Sequence, residues 1–375
     1  MFFKKINKFI AIFLILLATI SCATKIRNFE KYQTQLIPKS QFIPNTEEYN
    51  QKLPRVLVFQ LEENNIEIAT QSELGLSLAK NIENILSQNN LAEIVDRSIG
   101  IKLKEEISLA EINNNSSYDG PKISDYAIVG TISNATFSST YKAEKNKYNK
   151  NTGTYNYTPP QFTYISQVNG NIKILEVPSL ETVKIIEFNG EETESENVQK
   201  SGGLNIGLIS IGGKESESRK RNDGLVRRAG KNALFNISEK LQNVFAKIGY
   251  IIEKRAYKNK AIFKINLGKD DGIKEGDHFN IIAKYQIQNP LTGEEEIEEK
   301  IVATGRVSNK IDPKNSWIII KNKENINKIR LGDKLQIFYK ESFSKKHSST
   351  FKSIGKILEV SADIAEIYLD NTSKK

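Results

Sequence analysis

The side-chain period of this chain changes near Ala135, and that change limits the folds open to it. Before it, apolar runs alternate with helical spacing. Arg55-Val-Leu-Val-Phe-Gln-Leu61, bounded by Pro54, reads as a buried strand. Ser72 is placed to cap a helix carrying Leu74, Leu78, Ile82 and Ile85 on one face, with Glu73 in its first turn. Ala92 to Val95 is a short strand, and Asp96-Arg97-Ser98 opens a second helix with Ile99, Leu103 and Ile107 aligned. Asp125 to Ile132 is the clearest strand of this part. Strand, helix, strand, helix, strand predicts an α/β unit.

After Ala135 the period is two. Ala135, Phe137, Ser139, Tyr141 and Ala143 alternate with polar residues, and a charged, Asn-rich turn spans Glu144 to Gly153. Phe162, Tyr164, Ser166 and Val168 lead back through Ile172 and Ile174, which predicts a long hairpin. Glu181 to Gly190 reads as one further strand. The acidic, Ser/Gly-rich stretch Glu191 to Asp223 holds one apolar island, Gly203 to Gly212. Gly224 to Lys254 then fits a helix, with Ala229, Ala233, Ile237, Leu241, Val244 and Ile248 at steps of three or four.

Beyond Arg255 the chain is β-rich and repeats itself. Ile273-Lys-Glu-Gly-Asp277, followed by Phe279 and Ile281, is echoed by Ile329-Arg-Leu-Gly-Asp333, followed by Leu335 and Ile337. Gly305-Arg-Val307 leading to Trp317–Ile320 is echoed by Gly355-Lys-Ile357 leading to Ile364–Leu369. A Gly-Asp pair suits a tight turn, because Gly takes positive φ and Asp accepts from nearby backbone N–H groups. The expected fold class is therefore α/β, a mixed sheet flanked by helices with a long β-hairpin, joined to a C-terminal all-β small barrel or sandwich.

Cys22 is the only cysteine, so no internal disulfide can form. It follows Lys4, Lys5, Lys8 and the apolar run Phe9 to Ile20, a signal-peptide layout too short for a membrane span of ~20 apolar residues. Thr19-Ile20-Ser21-Cys22 reads as a loose lipobox, with Cys22 as the lipidated residue; cleavage after Ala23 is the competing reading. The organisation expected is a lipoprotein signal peptide over 1–22 and a polar tether over 23–52. An α/β domain over 53–254 and a β-rich domain over 257–372 follow. The net charge of +9 includes three signal-peptide lysines, and the rest is spread among many acids as a solvated surface. No basic stretch interleaved with aromatics points to nucleic acid.

Catalytic signals are missing. His278 and His347 have no cysteine or carboxylate at metal-ligand spacing. Gly207 to Lys214 lacks both the glycine spacing and the hydroxyl residue of a phosphate loop, with Glu215 in that residue's place. Asp270-Asp271-Gly272 with Asp277 lacks the alternating ligands and terminal Glu of a calcium loop. Glu105-Glu106 and Glu294-Glu295-Glu296 are neighbours in sequence only. No catalytic residue, cofactor or metal ligand is assigned.

The order of pieces from Arg55 to Ala246 resembles the curli secretion channel (CsgG-like) family of outer-membrane lipoproteins. The matching residues are Cys22, Val56–Phe59, Ile94-Val-Asp-Arg97 before a helix bearing Glu105-Glu106, Asp125–Ile132, Ile172–Val177 and the helix around Ala229 and Ala233. The last third resembles the C-terminal domain of FlgT-type flagellar assembly proteins. The resemblance implies a lipid-anchored periplasmic domain, ring formation by identical subunits, and two hairpins per subunit in a shared barrel. Glu187, Glu191, Glu192, Glu194 and Glu196 put acids on both faces of the second hairpin, and Glu62 to Gln71 carries no aromatic where the channels have a constriction. The function expected is a non-enzymatic envelope component in outer-membrane assembly or export, facing the periplasm, with a scaffold favoured over a pore. The alternative is a tethered periplasmic module that binds a cell-wall synthase or flagellar structure.

Overall fold

The computed structural model describes residues 24–113, 118, 120–149, 153–197, 205–206, 209–210 and 222–340. Cys22, His347, most of the phosphate-loop lookalike and the second echo, Gly355 to Leu369, lie outside them. The described residues from Thr24 to Phe338 belong to one compact unit.

In chain order this unit contains β1 (Gln33–Gln35), a helical turn at Thr46–Tyr49, β2 (Arg55–Val58), a turn at Glu67–Gln71 and α1 (Leu74–Gln88). Next come β3 (Glu93–Val95), α2 (Ile101–Asn113), β4 (Tyr126–Lys142), β5 (Lys145–Asn149), β6 (Thr154–Thr158), β7 (Gln161–Glu176) and β8 (Thr182–Asn197). The two-residue strands β9 (Asn205–Ile206) and β10 (Ile209–Ser210) pair with each other, and α3 (Asp223–Val244) follows. The remainder is β11 (Ile248–Tyr257), β12 (Lys260–Ile265), β13 (His278–Gln288), β14 (Glu295–Ile311), β15 (Ser316–Ile320) and β16 (Lys334–Phe338).

The first sheet has the order β3-β2-β4-β7-β8, parallel across β3-β2-β4 and antiparallel beyond. This is the mixed α/β sheet with a long hairpin. On one face α2 covers Leu57, Phe59, Ala127 and Leu175 through Leu103 and Ile107. On the other, α3 packs on β7 and β8 and lies alongside α1, which packs on β2 and β3. Small residues make that layer possible: a Cβ on Gly190 of β8 would stand 2.3 Å from the Ala233 nitrogen, and one on Gly230 would stand 2.8 Å from a Leu74 methyl.

Two local expectations are corrected. Ser72 does not cap α1; its hydroxyl donates to the Ile68 and Ala69 carbonyls and closes the preceding turn, and α1 starts after Glu73 at φ 48°. The helix expected to run to Lys254 stops at Val244, and Ile248–Tyr250 pair with Lys334–Gln336 of β16. Gly249 would weaken a helix, while the Ile251-Ile252 pair favours a strand.

The C-terminal β part is a closed antiparallel barrel, β11-β12-β15-β14-β13-β16 and back to β11. Its two halves are alike. Gly276 (φ 91°) donates to Val307 O while Asp277 O accepts from Val307 N; Gly332 (φ 83°) donates to Ile251 O while Asp333 O accepts from Ile251 N. In each turn the Asp carboxylate also accepts from a backbone N–H at 2.8 Å, of Lys274 and of Arg330. The structural counterpart of Gly305-Arg-Val307 is therefore Gly249-Tyr-Ile251, and each half is a hairpin, a 3-10 turn, a Gly-Asp turn and a strand. Barrel closure removes the sheet edges that a small sandwich would leave open.

Burial pushes the Asp277 carboxyl above its ordinary value of 3.8, against the pull of the Lys274 N–H. The folded state thus holds this proton more tightly than the unfolded chain. Its contribution is present below about pH 3.8 and is lost as pH rises through the folded value. Asp277→Asn keeps an acceptor for Lys274 N and removes the titration. Relative to the variant, wild type should lose stability with rising pH in that window, by at most about 1.4 kcal/mol per pH unit, in urea titrations at stepped pH.

The segment expected as a free tether is a strap on the barrel. Thr24 donates its hydroxyl to Glu275 at 2.8 Å, and Ile26 N donates to the Asn309 side chain at 2.9 Å. Ile26 and Tyr32 pack with Ile262 and Trp317, and Phe29 meets the Trp317 ring edge-on at 5.2 Å. β1 extends the barrel sheet by pairing with Lys254–Ala256 of β11. Ser40 N donates to Leu331 O, and Tyr49 stacks on Tyr250.

Candidate interaction surface

Three strands of the first sheet outrun the helices that cover it. β4, β7 and β8 stay in register from Tyr126↔Glu176 to Lys142↔Gln161 and on to Gln161↔Asn197. α3 covers the inner half, where Ile172, Gly170 and Val168 lie in register with Ile186, Phe188 and Gly190. Farther out the same face carries an aromatic ladder: Phe137 stacks on Tyr164 at 5.9 Å, Tyr164 on Phe162 at 6.2 Å, and Phe162 meets Tyr141 at 5.2 Å. Tyr141 is half exposed. The hairpin β5–β6 adds Tyr148 and Tyr155, paired at 4.9 Å, and Tyr157, all more than a third exposed.

The acids expected to follow the last strand are part of it. Ser166↔Glu192, Tyr164↔Glu194 and Phe162↔Glu196 put three carboxylates on the aromatic face. Two are engaged from α3. Arg228 donates to Glu194 at 2.5 Å, and the Asn232 amide donates to Glu192 at 2.6 Å. Glu191 points to the opposite face and accepts from Gln167 at 2.9 Å. The opposite face is mostly polar beyond α2, with Asn171, Asn169, Gln167 and Thr163 in one row that only Ile165 interrupts. The hairpin was legible from period two; the length of β8 was not, because its acids are matched by residues distant in sequence.

A concavity of about 610 Å³ lies where the foot of this sheet meets the barrel. Lys122 pairs with Asp125 at 3.0 Å, and Lys247 approaches Asp271 at 3.8 Å. Burial lowers the Lys247 pKa, opposed by Asp271. Burial also works to raise Asp125, but the Arg55 N–H and Lys122 win and hold it below the usual carboxylate range. These groups neutralise one another in pairs and offer no nucleophile beside a base.

The other sequence candidates stay apart. His278 opens β13 with its ring 5.6 Å from Phe338. The Asp271 carboxylate accepts from Gly268 N, a turn contact. Glu295 and Glu296 accept from Gln286 and Asn289 on the exposed β13–β14 hairpin. Among the described residues no three His, Cys, Asp or Glu side chains are grouped to hold a metal, and no helix is long and apolar enough to cross a membrane.

Fold and surface define the class: a mixed α/β domain with an overlong three-stranded sheet, strapped to a two-fold-repeated six-stranded barrel. No protein family profile matches the chain, and no curated protein does. Among solved structures it is similar to the lipoprotein GNA1162 of Neisseria meningitidis, with 10% identity and a TM-score of 0.18 over 41% of this chain and 89% of that one. It is also similar to the hypothetical protein CT253 of Chlamydia trachomatis, with 10% identity and a TM-score of 0.22 over 51% of this chain and 98% of that one.

Proposed function

We propose that this protein is a non-enzymatic, lipid-anchored envelope component of the CsgG-like kind, with its domains on the periplasmic side of the outer membrane. It acts in outer-membrane assembly or export as an oligomeric scaffold. The observation that carries this reading is the outer half of the β4–β7–β8 sheet. The ladder of four aromatic rings runs from buried Tyr164 out to half-exposed Tyr141, and the hairpin beyond it exposes Tyr148, Tyr155 and Tyr157, a composition suited to a protein interface. The edge strand β8 offers its backbone to the same partner.

A scaffold fits better than a pore. Glu192, Glu194 and Glu196 share the aromatic face, and each carboxylate moved into hydrocarbon would cost ~2–3 kcal/mol. The competing tethered-module reading leaned on a free linker after Cys22, and residues 24–49 are instead bonded to the barrel.

Two measurements test the proposal. Wild type should incorporate labelled palmitate and Cys22→Ala should not; uptake that is equal in both removes the anchor. Electron microscopy of detergent-purified protein should show rings or larger oligomers that do not conduct in planar bilayers. Monomers would sink the scaffold, and conductance would restore the pore.

A further inference from the structure

We infer that the barrel lies directly on the membrane, with the face around Thr24, Lys25, Lys274 and Lys310 against anionic lipid headgroups. The inference rests on acylation of Cys22 proposed above, and goes beyond it in assigning which domain and which face meet the bilayer. A free tether of thirty residues would let the folded part drift tens of ångströms away. The strap removes that freedom. Thr24 is buried, its hydroxyl bonded to Glu275 and its carbonyl accepting from Asn309 N at 3.3 Å. Only Ala23 separates it from Cys22. Consecutive Cα atoms are 3.8 Å apart, so the Cys22 Cα lies within about 8 Å of a fixed point on the barrel. Acyl chains on that cysteine enter the hydrocarbon, which leaves the barrel no room to be elsewhere.

The charge at that point suits an anionic surface. Lys25, Lys274 and Lys310 are all exposed, and Lys25 and Lys310 flank the strap where it meets the barrel. Lys310 reaches to within 5.7 Å of the Phe29 ring. Glu275, which accepts the Thr24 hydroxyl, lies on the same face and offsets one of the three lysine charges. Lysines held at a bilayer surface are attracted by acidic headgroups within a Debye length.

The single tryptophan supplies the probe. Trp317 packs under the strap, against Phe29. Acylated full-length protein is reconstituted into phosphatidylethanolamine–phosphatidylglycerol vesicles containing a dansyl-labelled lipid, and energy transfer from Trp317 is measured. Transfer should be strong in wild type. It should fall several-fold when a twenty-residue Gly/Ser linker, ~25 Å in mean span, is inserted between Ala23 and Thr24. Lys25→Glu with Lys274→Glu and Lys310→Glu should lower transfer about two-fold with palmitate uptake unchanged. Palmitate-labelled, vesicle-bound wild type without transfer would overturn the apposition and leave the anchor standing. Equal transfer with and without the linker would overturn it as well, and unchanged transfer in the lysine variant would overturn the assigned face. Absence of palmitate would remove the anchor itself, and the apposition with it.

Discussion

Gly190→Ala lowers the stability of the α/β part by about 3 kcal/mol or more, read as a shift in the urea midpoint by circular dichroism. The new methyl would stand 2.3 Å from the Ala233 nitrogen and 2.4 Å from the Ala229 carbonyl oxygen, both backbone atoms of α3. No rotamer change relieves a clash between a Cβ and a helix backbone, so α3 must move off the sheet. That motion lifts Leu225, Val226, Leu234 and Leu241 out of contacts in which each is almost fully buried. It also shifts Arg228 and Asn232 away from Glu194 and Glu192, so the acids of β8 lose their partners on the candidate surface. Gly224→Ala, in the first turn of the same helix, is the control. Outside its chain neighbours and its own helix backbone, its Cβ would come no closer than 3.3 Å, to the Asn222 side chain, and the variant should stay within about 1 kcal/mol of wild type. A Gly190→Ala protein as stable as the control would mean that α3 does not sit on β8.

The elements legible in the sequence are those whose signal is local. Val56, Leu57 and Val58 form an unbroken apolar run because β2 is flanked on both edges and buried on both faces. Leu74, Leu78 and Ile82 repeat at helical spacing because one face of α1 meets α3. The Gly-Asp turns were legible because positive φ and a capping carboxylate demand those two residues. Where the determinant is non-local, the sequence misled. Acids at Glu191 to Glu196 resemble a loop until Gln167, Asn232 and Arg228 are brought beside them. The barrel's other half-repeat was hidden at Gly249–Ile251 because helical spacing persists through Ile248 by coincidence. Of the candidate surface, the two hairpin strands were readable from alternation. Their third strand was readable only as far as Gly190, and Cys22 lies outside the described residues.

The strap is the clearest such case, and its removal has the second large effect. Residues 24–49 carry few apolar side chains and no period, so Ile26, Phe29 and Tyr32 look incidental. Their partners are more than 200 residues away: Trp317 and Ile262 for the apolar contacts, and Arg255, whose guanidinium lies 5.4 Å from the Phe29 ring and 4.8 Å from the Trp317 ring. Replacing Ile26, Phe29 and Tyr32 by alanine together should destabilise the barrel by on the order of 3–6 kcal/mol. That is the burial of three side chains less the ordering of the strap. Trp317 reports it directly, because exposure to water moves its emission to longer wavelength. A tether of the kind composition suggests would predict no change in either quantity. The two accounts of the same residues therefore differ by several kcal/mol and by the colour of one tryptophan. An unshifted spectrum in the triple variant would return the segment to the role of a linker. A red shift at unchanged urea midpoint would mean that the strap covers Trp317 without holding the barrel closed.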